Sequence, residues 1–250
     1  MKTTVNGRRE PPAAMSGRTL PHGGDTALHR RIAGGLLPVA GSAILLGIIT
    51  AEALYTAPYD ARMEISDLGA SETGLVLQPS STIFNATMLV AGAMIIAGAW
   101  FAQQAFHRRA VTIPTGLLGI GVLGVGVFPG NVHPQHPLLA FTAFVAGGLA
   151  VLLSAKVTPQ PLRAIFAVMG AVSLTFTLSS VFLLEWGPFA RLGLGGVERW
   201  MVYPILLWLV AFGSYLMVGH TAEASVPPLP DTAARSLEGH KEREGVRSPR

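Results

Sequence analysis

Six polar residues in this chain carry side chains that chemistry uses: Asp67, Asn85, His133, His136, Glu198 and Arg199. They lie in four short segments bordering long apolar runs. The segments read Glu64-Ile-Ser-Asp-Leu-Gly69, Ser81-Thr-Ile-Phe-Asn85, Val127-Phe-Pro-Gly-Asn-Val-His133-Pro-Gln-His136-Pro137 and Gly196-Val-Glu-Arg-Trp-Met-Val-Tyr203-Pro204. Three chemistries compete for them. A metal centre needs three or four ligands, and the two histidines with Asp67 or Glu198 reach three. A proline follows each histidine, however, which makes that segment extended or turn-like, and no HExxH pair occurs. No metal or other cofactor is therefore expected. General acid–base catalysis needs a histidine and an orienting carboxylate. Both are present, but the chain has no cysteine and no serine in a GxSxG elbow, so no nucleophile is evident. The third chemistry is binding of a substrate or lipid headgroup, with Arg199 gripping an anion and Glu198 answering it.

A structural account weighs about equally. Ser66 or Asp67 can cap a short interfacial helix, and Asn85 can bond across helices. Glu198 and Arg199 are neighbours roughly 100° apart around a helix, so each needs a partner on another segment. Arg199 with Asp67 or Glu185 would clamp a loop over the helix ends. The histidines would then be ordinary interfacial loop residues.

The elements that position these residues follow from composition. Of 250 residues, 50% are hydrophobic and 13% charged, about half the charge of a soluble domain. The mean hydropathy is +0.47. A disordered chain and a disulfide-stapled domain are excluded. A bilayer core about 30 Å thick needs roughly 20 apolar residues per helix. Six stretches qualify, at approximately 32–54, 80–101, 111–128, 137–155, 162–184 and 200–219. Lipid leaves no backbone polar group a water partner, so each must be a helix. The expected fold is an all-α integral membrane protein, a six-transmembrane-helix bundle with both termini cytoplasmic.

The orientation rests on Lys and Arg, which accumulate on the cytoplasmic side. Fifteen of the eighteen fall in residues 1–31, the turns at 108–109 and 156–163, and residues 220–250. Arg62, Arg191 and Arg199 fall opposite. Seven acidic residues lie on each side. The net charge of +4 and the pI near 9.8 thus report topology and not nucleic-acid binding. Residues 1–31 and 220–250 are expected to be disordered cytoplasmic tails. The membrane concerned is the plasma membrane and the expected partner is its lipid. A rival reading takes Ala51-Glu52-Ala53 as a signal-peptidase site. The preceding apolar run of about 19 residues exceeds the usual 7–15 of such a leader, so an uncleaved first span is favoured.

Packing signals are those of a membrane bundle. Gly116, Gly119, Gly121, Gly124 and Gly126 let helices approach closely, as do the Gly126–Gly130 and Ala143–Gly147 pairs. Ser173, Thr177 and Ser180 share one face of the fifth span. They line a polar pathway or, more commonly, bond backbone. Trp186, Trp200 and Tyr203 fit an aromatic belt.

Four of these strings together resemble a known family. Ile65-Ser-Asp-Leu-Gly69, Phe84-Asn85, Gly126-Val-Phe-Pro129 with a following His, and Glu198-Arg199 before Tyr203-Pro204 are similar to domain of unknown function 998. This is a family of six-span bacterial and archaeal membrane proteins. The resemblance covers approximately residues 32–219. Where the family commonly has an acidic residue after Phe-Pro, this chain has Gly130. The resemblance implies the six-span fold and points to Asp67, Asn85, His133 or His136, Glu198 and Arg199, but carries no activity with it. The function expected is a binding or accessory protein with a polar site on the outer face. An outer-face enzyme acting on lipid and a small permease are the alternatives.

Because the chain contains no cysteine, its orientation is directly measurable. Single cysteines replacing Glu72 and Leu192 should react with a membrane-impermeant thiol reagent in intact cells, and one replacing Gln104 should not. The reverse pattern would invert the topology.

Overall fold

The computed structural model describes residues 23–182 and 187–224, excluding the side chains of residues 187–189 and 219–224. Glu185, Trp186 and most of both expected tails lie outside the described residues. Six helices are present: α1 Gly23–Ala53, α2 Ser80–Phe106, α3 Arg109–Val127, α4 Gln135–Ser154, α5 Leu162–Phe182 and α6 Gly187–Ala224. One 3-10 turn, Ile65–Leu68, interrupts the long connection between α1 and α2. No strand occurs among the described residues. All six helices are long and apolar enough to cross a membrane. The protein is a multi-pass membrane protein.

Each helix packs on its neighbours in sequence, and α6 closes the ring against α1. The α1 stripe shows why. Ala33, Leu37, Ala40, Ile44, Ile48 and Ala51 are all buried, and their spacing of three and four residues places them on one face. That face meets α2 and α6, so α1 supplies part of the core. Outside, Leu46, Val90, Trp100, Val168 and Leu207 are each at least half exposed. In water such a girdle would be an aggregation liability; against acyl chains it is the matching solvent. Trp208 is fully buried because its Nε1–H has a partner, the Ser154 hydroxyl at 2.8 Å.

Two helix ends differ from the hydropathy-based limits. Helix α1 begins at Gly23, where residues 23–31 were expected to belong to a tail. Its first turn carries Asp25, which complements the positive end of the helix dipole, and polar turns outside the apolar zone escape a hydropathy window. Helix α6 begins at Gly187 instead of near residue 200, with a break at Gly193 (φ 68°, ψ 172°). A left-handed φ of this kind favours glycine. Glu198 and Arg199 lie about one and a half helical turns past that break.

Of the five glycines expected to let helices approach, four do so. A Cβ on Gly119 or Gly121 would lie 2.8 Å from Ile96 N or 2.7 Å from Ala143 N, and Gly124 and Gly126 are equally crowded by α4 and α2. Gly116 differs: the nearest atom is Ala99 Cβ at 3.9 Å, an ordinary contact. Gly92 of α2, by contrast, lies directly against the Leu123 backbone of α3.

Gly92→Ala should therefore destabilise the detergent-solubilised protein by about 1–3 kcal/mol, the usual range for overpacking. Gly116→Ala should leave the melting temperature unchanged or raised. Equal losses for the two would refute this assignment of the α2–α3 contact.

Candidate functional site

The connection between α1 and α2 is fastened to the start of α6 by bonds arriving from several directions. Arg62 donates to Arg191 O at 2.9 and 3.3 Å, and Gly195 N donates to Arg62 O at 3.0 Å. A Cβ on Gly195 would overlap the Met63 carbonyl, so only glycine allows the chains this close. The Arg199 guanidinium reaches furthest. Its Nη1 donates to Ala61 O at 3.0 Å, Met63 O at 3.1 Å and Gly195 O at 2.9 Å. Its Nη2 donates to Tyr59 Oη at 3.1 Å and to Glu52 Oε1 at 2.5 Å. Tyr59 Oη in turn donates to Glu64 O at 3.0 Å. Such a planar fork can satisfy several acceptors at once, which a lysine ammonium cannot do in the same geometry.

Glu198, one residue earlier, points to another side of α6. Its Oε2 accepts the Ile65 N–H at 2.6 Å and so holds the first residue of the 3-10 turn. The side chain is buried. It belongs to the wall of two cavities. One is a vestibule of about 220 Å³ lined by polar groups including Glu64, Asp67, Glu72, His133, His136 and Glu198. The other is a slot of about 80 Å³ between α1, α2, α3, α4 and α6, lined by Ile44, Phe84, Met88, Leu118, Ile205 and other apolar side chains. Ser66, His136, Ala140, Phe144 and Glu198 line both. A polar chamber and an apolar one thus share a wall at the same end of the bundle.

His136 is buried, and its Nδ1 lies 2.8 Å from Phe128 O. A carbonyl only accepts, so Nδ1 carries the proton, and in the neutral ring Nε2 keeps its lone pair. Ser66 Oγ donates to Glu64 Oε2 at 3.2 Å. Burial, reinforced by the charges of Asp67 and Glu72, pushes the Glu64 carboxyl above its ordinary range. Asp67 is shifted the same way by burial and by Glu72. Burial also pushes Tyr59 up to about 12, against the opposing pull of its bond to Arg199, so Tyr59 stays a neutral phenol. No Lys or Arg lines the vestibule among the described residues. No group of three or more His, Asp or Glu there is arranged to hold a metal ion. The chamber is an acid-rich one with two histidines, suited to a group bearing a cation or hydrogen-bond donors.

The family model described as protein of unknown function, DUF998, matches residues 39–215. The chain belongs to this family. No curated protein and no solved structure matches it.

In this DUF998 protein the six residues singled out by type do not form one cluster. Asp67, His133, His136 and Glu198 line the vestibule together. Arg199 is turned away by helical rotation and serves the loop clamp, with Glu52 as its ion-pair partner where Asp67 or Glu185 was expected. Asn85 lies at the junction of α2 with the connection, its Nδ2 donating to Ser81 Oγ at 3.3 Å and to Gly69 O at 3.5 Å. Ser81 Oγ donates to the same Gly69 carbonyl. Asn85 Oδ1 is buried without a hydrogen-bond partner. The hydroxyl stripe of α5 is bonded to backbone: Ser173 to Met201 O at 2.8 Å, Thr177 to Ser173 O at 2.9 Å and Ser180 to Thr177 O at 2.7 Å. Glu52, Tyr59, Glu64 and Glu72 were not among the residues expected. Glu52 left one trace, a carboxylate in the last turn of an apolar span, where an ionisable group calls for a partner.

Removing the fork should loosen the whole connection. Arg199→Gln is expected to lose roughly 3 kcal/mol, since it leaves Glu52 unpaired in a partly buried place. Glu52→Gln keeps an acceptor and should lose only about 1 kcal/mol. Thermal unfolding in detergent measures both, and an Arg199→Gln protein melting with the wild type would remove the clamp from the account.

Proposed function

We propose that this protein holds a membrane amphiphile at the outer face of the plasma membrane, its polar head in the acid-rich vestibule and an apolar group in the adjoining slot. Both termini are cytoplasmic in this reading, supported by the distribution of Lys and Arg. The observation that carries the proposal is the wall common to a polar and an apolar cavity, built by Ser66, His136, Ala140, Phe144 and Glu198. Ligand sites characteristically combine an apolar lining with a few convergent polar groups. The absence of Lys and Arg from the described vestibule lining favours a head with an ammonium or several hydroxyls over a bare phosphate.

A second reading has one specific observation in its favour. Glu198 and His136 line the same chamber, and a carboxyl and an imidazole whose Nδ1 is committed to a carbonyl, facing one cavity, are the group types that general acid–base catalysis uses. A hydrolase built on it would use water as nucleophile. The outer-face enzyme and the binding protein share the same ligand site and differ in turnover.

The test is lipid extraction and mass spectrometry on protein purified in polymer-bounded nanodiscs. Wild type should retain at least one amphiphile enriched over the bulk lipid. Ala140→Leu, which narrows the shared wall, should lose most of that enrichment. Glu198→Gln keeps the shape and an acceptor for Ile65, and should change the head group retained. Bulk lipid composition in all three samples would sink the proposal, while chemical alteration of the retained amphiphile by wild type alone would favour the enzyme.

A further inference from the structure

The opposite end of the bundle carries a second chamber with the reverse electrostatics. Its volume is about 690 Å³. Arg30 from α1, Arg108 from the α2–α3 turn, Lys156 from the segment after α4 and Arg163 from α5 all line it. Thr112, Thr115, Thr158 and Tyr215 add hydroxyl-bearing side chains, and no Asp or Glu lines it among the described residues. Arg30 lies over the Phe106 ring at 4.7 Å, and Arg163 Nε donates to Thr158 O at 3.3 Å. Both guanidiniums are thereby held at the wall. The floor is apolar, formed by Leu37, Val111, Leu153, Phe212 and Leu216.

Arg108, Lys156 and Arg163, drawn from three separate places in the chain onto one cavity, repel one another, and an anion relieves that repulsion. Arg forks match phosphate oxygens in pairs, and Lys adds a point charge. The first turn of α3 also lines the cavity, through Ala110, Val111 and Thr112, and brings the positive end of a helix dipole. The volume falls within the range of small-ligand sites. We propose that this chamber binds a phosphate-bearing anion, held by Arg108, Lys156 and Arg163, with the apolar floor receiving whatever hydrocarbon the phosphate carries. A phospholipid headgroup and a soluble phosphate share this chemistry. The site is independent of the vestibule at the other end.

The experiment uses the full chain in phosphatidylcholine nanodiscs. One arm adds phosphatidylglycerol, the other inorganic phosphate, and native mass spectrometry with thermal unfolding reads adducts and protection. The Arg108→Gln/Lys156→Gln/Arg163→Gln protein is compared with Arg31→Gln/Arg109→Gln, whose charges are equally exposed but do not line the chamber. The triple variant should bind phosphatidylglycerol on the order of 100-fold more weakly, about fivefold for each cation removed near the membrane surface. The double variant should bind as wild type does. Equal protection by inorganic phosphate, also lost in the triple variant, would assign the same site to a soluble ligand. Equal losses in both variants would mean diffuse surface attraction and overturn the proposal, as would failure of wild type to discriminate either anion from phosphatidylcholine. Should the triple variant not fold, Lys156→Gln alone must show the single-cation loss.

Discussion

Two adjacent charged residues inside a membrane helix constrain the structure more than any other feature. A guanidinium taken out of water costs several kcal/mol unless every donor finds an acceptor. Arg199 offsets this cost through both Nη atoms, which bond three carbonyls, a phenol and a carboxylate drawn from α1, the connection and α6 itself. Its neighbour Glu198 is rotated by about 100° and takes the Ile65 amide. Helical geometry thus makes one dipeptide grip a single loop from two directions. The connection has no span of its own, yet it is held across the helix ends.

That grip decides where the polar groups go. With Ile65 fixed, the 3-10 turn places Ser66 and Asp67 in the vestibule wall. The wall is completed by His133 from the α3–α4 turn and by His136, which lies in the first turn of α4 where an extended or turn-like segment was expected. Below the same wall the lining becomes apolar. Burial keeps the carboxyls of Glu64 and Asp67 above their ordinary range. Their neutral forms favour the folded loop below the unfolded carboxylate range, a contribution lost as pH rises through the raised values. The opposite end of the ring gathers cations instead. A bundle with little charge along its spans has concentrated opposite signs at its two ends.

Much of this was legible in the sequence, for identifiable reasons. A helix in lipid must satisfy its own backbone, so six apolar runs led to six helices with no knowledge of their neighbours. Helix ends were less legible: the first turns of α1 around Asp25 are polar and lie outside the apolar zone, and the start of α6 is rich in glycine and broken at Gly193, so hydropathy fixes neither end. Asp67, His133, His136 and Glu198 were identifiable by type and depth. The partner of Arg199 was not, because Glu52 is 147 residues away and no local pattern records such a pairing. The spacing of the α5 hydroxyls allowed a pathway but favoured bonds to backbone, and to backbone their hydrogen bonds go. Gly116 looked like Gly119 and Gly121 by type, and only the packing separates them.

The central claim is that α6 pins the 59–69 connection over the helix ends and so builds the vestibule. Site-resolved amide hydrogen exchange on the unmodified protein tests it most directly. The Ile65 amide, bonded to Glu198, and the Gly195 amide, bonded to Arg62 O, should exchange far more slowly than exposed amides of the same connection such as Thr73. Exchange at Ile65 as fast as at Thr73 would mean that the loop is not held, and that the vestibule has no fixed wall.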